Sequence, residues 1–290
     1  MSDTLTSGGA NAGAGSSAGI SPSTPTLTAE PRMSVRSVSK SYTSDRGVVK
    51  RVLASVSFNV APEEFVAIVG PSGAGKTTLL RTIAGLMLPT SGEIFFDGDE
   101  VTGPPERLAL VFQDYSRSLM PWMTIEKNVT LPLRRKKLSK DEQKRLAAEA
   151  LSAVGLGDIG SHYPWQLSGG MQQRVAIARA IAYQPDALLM DEPFASVDAQ
   201  TRSDLEDLIL ALKKQYGMTI VVVTHDIDEA VYMSDRVIVL SGSPTSVRQV
   251  VDVKLGGQRD QLVTKSLPEF VELRNTVLTA VRRPVGEPSP

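Results

Sequence analysis

Apolar positions change their spacing along this chain, and the spacing predicts the elements. Met33-Ser34-Val35-Arg36-Ser37-Val38 alternates as a half-buried strand does. Residues 52–60 alternate again, which predicts Val52, Ala54, Val56, Phe58 and Val60 on one side. Phe65-Val66-Ala67-Ile68-Val69 is apolar throughout, as in a buried strand, and Thr78-Leu79-Leu80-Arg81-Thr82-Ile83-Ala84 reads as a helix. Ile94-Phe95-Phe96 ends in Asp97-Gly98, a tight-turn signal, and residues 108–112 read as a further buried strand. Residues 114–164 carry only short helical patterns, with Leu146, Ala147, Ala150, Leu151 and Val154 on one face. A helix starts at Ser168, with Met171, Val175, Ala178 and Ala182 inward, and stops before Pro185. Ala187-Leu188-Leu189-Met190 is a short strand, and the helix after it turns Leu205, Leu208, Ile209 and Leu212 inward. Thr219-Ile220-Val221-Val222-Val223 and Val237-Ile238-Val239-Leu240 are strands; a mixed tail follows Gly242, and residues 268–282 are helical. Early strands followed by βα alternation predict an α/β fold with a mostly parallel sheet, an antiparallel β subdomain and an inserted helical subdomain.

Residues 1–31 have few large apolar side chains and are expected to be a disordered low-complexity tail. The main domain is expected over 32–255, with its helical subdomain at about 114–184, and a C-terminal extension with a short helix over 256–290. Composition narrows the class only slightly. A net charge of −1 argues against a general pull toward nucleic acid or membrane. The absence of cysteine excludes disulfides and thiolate metal sites. No apolar run suffices to span a bilayer, and no secretory signal opens the chain, so a cytoplasmic location is expected. The basic run Arg134-Arg135-Lys136-Lys137 is read as a solvated face, with headgroup or nucleic-acid contact as the other option.

The chemistry concentrates in Gly70-Pro71-Ser72-Gly73-Ala74-Gly75-Lys76-Thr77-Thr78, which fits the phosphate-wrapping pattern G-x-x-x-x-G-K-[ST] between a strand and a helix. Glycines let backbone N–H groups turn inward as an anion cradle, and the following helix dipole favours phosphate. Lys76 can reach the β and γ phosphates, and the Thr77 hydroxyl can ligate Mg²⁺. Kinases, GTPases and ATPases all remain open at this point. A second metal-handling carboxylate should close a neighbouring parallel strand, and Asp191 does so. Glu192 follows it, placed to orient or deprotonate an attacking water. Leu167-Ser168-Gly169-Gly170-Met171 puts a hydroxyl and two amides at a helix start, a second anion site.

The order and spacing of these motifs resemble the nucleotide-binding subunit of an ATP-binding cassette (ABC) transporter, over about residues 33–245. The resemblance implies a P-loop NTPase core, ATP and Mg²⁺ as cofactors, and ATP hydrolysis. It makes residues 70–78 the Walker A loop, 187–192 the Walker B strand with catalytic Glu192, and 167–171 the signature motif. Gln113 takes the place of the Q-loop glutamine, which contacts Mg²⁺ and links the ATP site to the membrane subunit. Ser196-Val197-Asp198 takes that of the D-loop, His225 that of the switch histidine on the γ-phosphate, and Tyr42 that of the aromatic stacked on adenine. Met171 and Val197 depart from the more usual Gln and Leu. Two such subunits pack head to tail, so Ser168, Gly169 and Gly170 would act in trans on ATP held by the other copy. The implied partners are a second copy of the chain, transmembrane permease subunits and, through them, an extracytoplasmic solute-binding protein, with no nucleic acid. The implied place is the cytoplasmic face of the membrane, as a peripheral subunit.

Gln113-Asp114-Tyr115 with Leu119-Met120-Pro121-Trp122-Met123-Thr124 resembles nitrate, sulfonate and taurine importer ATPases. Met171-Gln172-Gln173-Arg174 and Leu267-Pro268-Glu269-Phe270 point the same way, and the short C-terminus has no room for the regulatory barrel of sugar importers. Trp122 fits either a groove that receives a permease helix or ordinary core. The alternative function is a soluble ABC ATPase acting on nucleic acid or ribosomes, which would usually carry a paired cassette or a long coiled-coil insertion. A small-molecule kinase would have no use for the signature motif or for His225.

Overall fold

The computed structural model describes residues 30–114 and 118–282. The expected disordered tail therefore lies outside the described residues but for its last two positions, as do Tyr115 and residues 283–290. In chain order the elements are β1 (Met33–Thr43), β2 (Val49–Val60), β3 (Phe65–Val69), α1 (Lys76–Ile83), β4 (Ser91–Phe96), β5 (Asp99–Glu100) and β6 (Leu108–Val111). Then come α2 (Ile125–Thr130), α3 (Lys140–Ala153), α4 (Gly169–Ala182), β7 (Ala187–Asp191), α5 (Ala199–Tyr216) and β8 (Thr219–Val223). The chain continues through α6 (Ile227–Met233), β9 (Arg236–Gly242), β10 (Thr245–Asp252), α7 (Val263–Ser266) and α8 (Pro268–Arg282).

The strands form one sheet in the order β5-β4-β1-β2-β10-β9-β3-β8-β7-β6. The segment β9-β3-β8-β7-β6 is parallel, and β5-β4-β1-β2 is antiparallel. β10 joins the two parts, running antiparallel to β9 and meeting β2 at Thr245 and Leu53. Strands β3, β7 and β8 are buried at every position because helices cover one face of the parallel segment and the antiparallel layer covers the other. Phe65, Ala67, Val69, Ile220 and Val222 pack toward α4, α5, α6 and α8. Val66, Ile68, Val221 and Val223 pack toward Leu79, Leu80 and Ile83 of α1 and toward Met33, Val35, Val38, Val56 and Val60. Helix α1 is thus held between the two layers, which fixes the loop that precedes it. In the 114–164 stretch the described residues hold helices and turns and no strand. The side chains Leu146, Ala147, Ala150, Leu151 and Val154 are buried there as the helical spacing requires. Phe270, Val277 and Ala280 of α8 enter the same core. Among the described residues no helix is long and apolar enough to cross a membrane.

Three expectations need correction, and one open alternative closes. In β2 the buried positions are Leu53, Val56 and Val60, whereas Val52, Ala54 and Phe58 are half-buried. Ser55 has φ 54°, and the β1–β2 ladder slips there, so the alternation changes side. Ser37, at φ 49°, does the same in β1 and lets Val35 and Val38 share a core. β6 is an edge strand with Leu108–Leu110 only half-buried, not a fully buried one. The mixed tail after Gly242 is β10, whose polar residues and ladder slip between Val247 and Gln249 hide the period of two. Trp122 is 71% exposed and is not core.

Candidate nucleotide site

Strand register gathers the site. Ile68 pairs with Val223, and Val223 pairs with Asp191, so the carboxyl ends of β3, β8 and β7 lie in one row. The loops leaving those ends carry residues 70–75, His225 and Glu192, and ligands of parallel sheets bind at that edge. Gly75, the N-cap of α1, has φ 72°, and a Cβ there would stand 2.6 Å from Val52 Cγ1. Only glycine takes that conformation at so close an approach.

Lys76 is 6% exposed, and its ammonium donates to the carbonyls of Gly70 at 2.9 Å and Pro71 at 3.2 Å. Burial pulls its pKa below the ordinary lysine value, and the carboxylates of Glu192 and Asp191 oppose that pull. The Thr77 hydroxyl donates to Asp191 Oδ1 at 3.1 Å. Asp191 is 3% exposed; burial pushes its carboxyl above the usual range, and the Thr77 hydrogen bond counteracts this. Glu192 adopts φ 43°, a conformation that L-residues avoid, and its N–H is tied to the Val223 carbonyl at 2.8 Å. Its Oε2 accepts from Gln113 Nε2 at 3.1 Å and lies 3.3 Å from His225 Nδ1. Two distant segments thus converge on one carboxylate oxygen, while the Val223 carbonyl holds the Glu192 backbone.

Other expected residues lie elsewhere. Ser168 caps α4, its hydroxyl accepting from Met171 N–H at 3.4 Å. Among the described residues no hydrogen bond joins 168–170 to 70–78. Gly170 instead abuts α5, since a Cβ there would stand 2.6 Å from Thr201 Cγ2. Asp198 caps α5, accepting from Thr201 N–H at 3.0 Å and its hydroxyl at 2.7 Å. Those bonds hold the Asp198 carboxyl below the usual range. The Tyr42 hydroxyl lies 3.5 Å from Thr78 Oγ1, and its ring is partly open to solvent beside α1.

Sequence reasoning missed Thr224, Glu229 and Arg202, which pack behind His225. The Thr224 hydroxyl donates to Glu229 Oε2 at 2.6 Å. Asp226 and Glu229 stand at N-cap and third position of α6, a spacing that reads as a helix start and so concealed any other role. Chemically, the ensemble offers amides and a cation for phosphate, a hydroxyl–carboxylate pair for a hard cation, and a held carboxylate for water.

Known proteins resemble this chain in sequence and fold. Residues 53–195 match the ABC transporter family model. An uncharacterized ABC transporter ATP-binding protein of Methanocaldococcus jannaschii is 44% identical, over 87% of this chain and 91% of the relative. An aliphatic sulfonates import ATP-binding protein of Bacillus cereus is 41% identical, over 85% of this chain and 94% of the relative. Among solved structures, a dimeric post-hydrolysis state of an ATP-binding cassette bound to ADP and Pi superposes with a TM-score of 0.68 at 35% identity. That match covers 77% of this chain and 99% of the other.

Proposed function

This chain belongs to the ABC transporter family as an ATP-binding subunit, and we propose that it hydrolyses ATP to drive import of a small solute such as nitrate, a sulfonate, taurine or a related compound. The convergence of Gln113 and His225 on Glu192, beside the Thr77–Asp191 pair, carries this reading. A phosphate-binding loop alone would serve many reactions; a carboxylate oriented from two other segments serves water attack. In this reading Lys76 and the amides of residues 70–78 hold the phosphates, Glu192 orients and deprotonates water, and His225 touches the γ-phosphate. Tyr42 stacks on adenine. The Thr77 hydroxyl, the Asp191 carboxylate and the Gln113 amide oxygen are the hard oxygen donors that Mg²⁺ takes. Bound Mg²⁺ neutralises phosphate charge.

Residues 168–170 are made for anions yet bond only locally, which supports their acting on ATP held by a second copy. Asp198 then lies at the same junction. The dimeric ADP- and Pi-bound relative supports such an assembly. The sulfonate importer relative supports the solute class and permease partners, with a solute-binding protein outside the membrane and this chain on its cytoplasmic face. Affinity purification from detergent-solubilised membranes of the native host tests the partner. Recovery with a multi-span permease, and loss of alkanesulfonate or nitrate uptake on deletion, is the expected outcome. Recovery with RNA or DNA and no membrane protein would overturn it.

A further inference from the structure

We infer that Glu229 is a positioning residue that sets His225 through the Thr224 hydroxyl. This deepens the reading of His225 as the γ-phosphate contact and rests on it. His225 is 59% exposed at its side chain and meets Glu192 Oε2 at 3.3 Å, so its aim depends strongly on the backbone of its two neighbours. Both neighbours are tied. Thr224 is buried, its N–H donates to the Ile68 carbonyl at 3.2 Å, and its hydroxyl accepts from Asp226 N–H at 3.0 Å. The one proton of that hydroxyl goes to Glu229 at 2.6 Å, which fixes the rotamer. Asp226 caps α6 through Asp228 N–H at 2.9 Å and Glu229 N–H at 3.2 Å.

A glutamate at this helix position ordinarily reaches back to the N-cap amide at the surface. Glu229 instead turns inward and is 6% exposed, and that burial pushes its carboxyl up to about 7. Holding a carboxylate there costs desolvation energy, and helix capping alone does not require it. Arg202 answers the charge, with Nε 3.5 Å from Glu229 Oε1 and Nη1 3.1 Å from Asp226 Oδ2. Arg202 lies one turn into α5, the helix that Asp198 caps and Gly170 abuts. The His225 loop is therefore tied to the helix whose start faces the second anion site.

The chain has two histidines, so His225 ring signals can be identified in proton NMR by their loss in His225→Ala. Glu229→Ala and Thr224→Val are each expected to move the His225 signals. Each should also lower kcat about tenfold with KM for ATP little changed. Thr224→Ser and Glu229→Gln keep the hydroxyl and an acceptor, and should restore most of both readouts. Unmoved His225 signals in folded Thr224→Val and Glu229→Ala protein would overturn the inference, whatever the melting temperature. If Glu229→Ala does not fold, the Thr224 pair decides. The NMR readout needs no turnover, so it separates failure of this inference from failure of the ATPase reading.

Discussion

Glu192→Gln is expected to lower ATP turnover about 10²–10⁴-fold while leaving ATP binding intact. The substitution preserves shape, so the φ 43° backbone and its tie to Val223 should persist. What is lost is the carboxylate that takes a proton from water. The residues around it then hold unhydrolysed ATP, and two copies closed over it should stay together. Phosphate release and size-exclusion chromatography with ATP check both halves. Near-normal turnover would remove Glu192 from the base role.

Lys76→Ala is expected to weaken ATP binding and to reduce turnover about 10²–10³-fold. Its ammonium lies inside the loop on the Gly70 and Pro71 carbonyls, already desolvated and ready to exchange them for phosphate oxygens. Low dielectric there makes the charge count for more than at the surface. Lys76→Arg should not rescue, because the planar guanidinium cannot occupy a point-charge site this tight. Calorimetric titration with ATP measures the first effect. Wild-type affinity in Lys76→Ala would contradict the placement of the phosphates.

The core of the site could be read before the fold was known, because each part is local. A strand–loop–helix with glycines at fixed offsets is set by backbone sterics, and Asp191–Glu192 follows from a strand ending in carboxylates. Their meeting requires only that β7 and β8 lie beside β3, which parallel βα units tend to give. The illegible features were those in which local pattern and tertiary role diverge. Ser37 and Ser55 reverse the strand faces through left-handed backbone that serine does not announce. β10 is a strand by virtue of its neighbours β9 and β2, not of its own alternation. Glu229 carries the spacing of a helix start and no signal of a further role; only the fold shows its side chain bonded to Thr224. The signature residues read as an anion site in the sequence; in the fold Ser168 caps α4 and bonds only locally, so their proposed target on a second copy is not a local feature.

Mixing two inactive variants tests the shared site most directly. Ser168→Arg leaves a good loop at 70–78 with a spoiled signature, and Lys76→Ala the reverse. If the site is shared, a mixed dimer holds one intact site, although each variant alone holds none. At equal concentrations half the dimers are mixed, so turnover should recover to about a quarter of wild type. A mixture that forms dimers but stays as inactive as its components would show that each chain completes its own site, and would contradict the account.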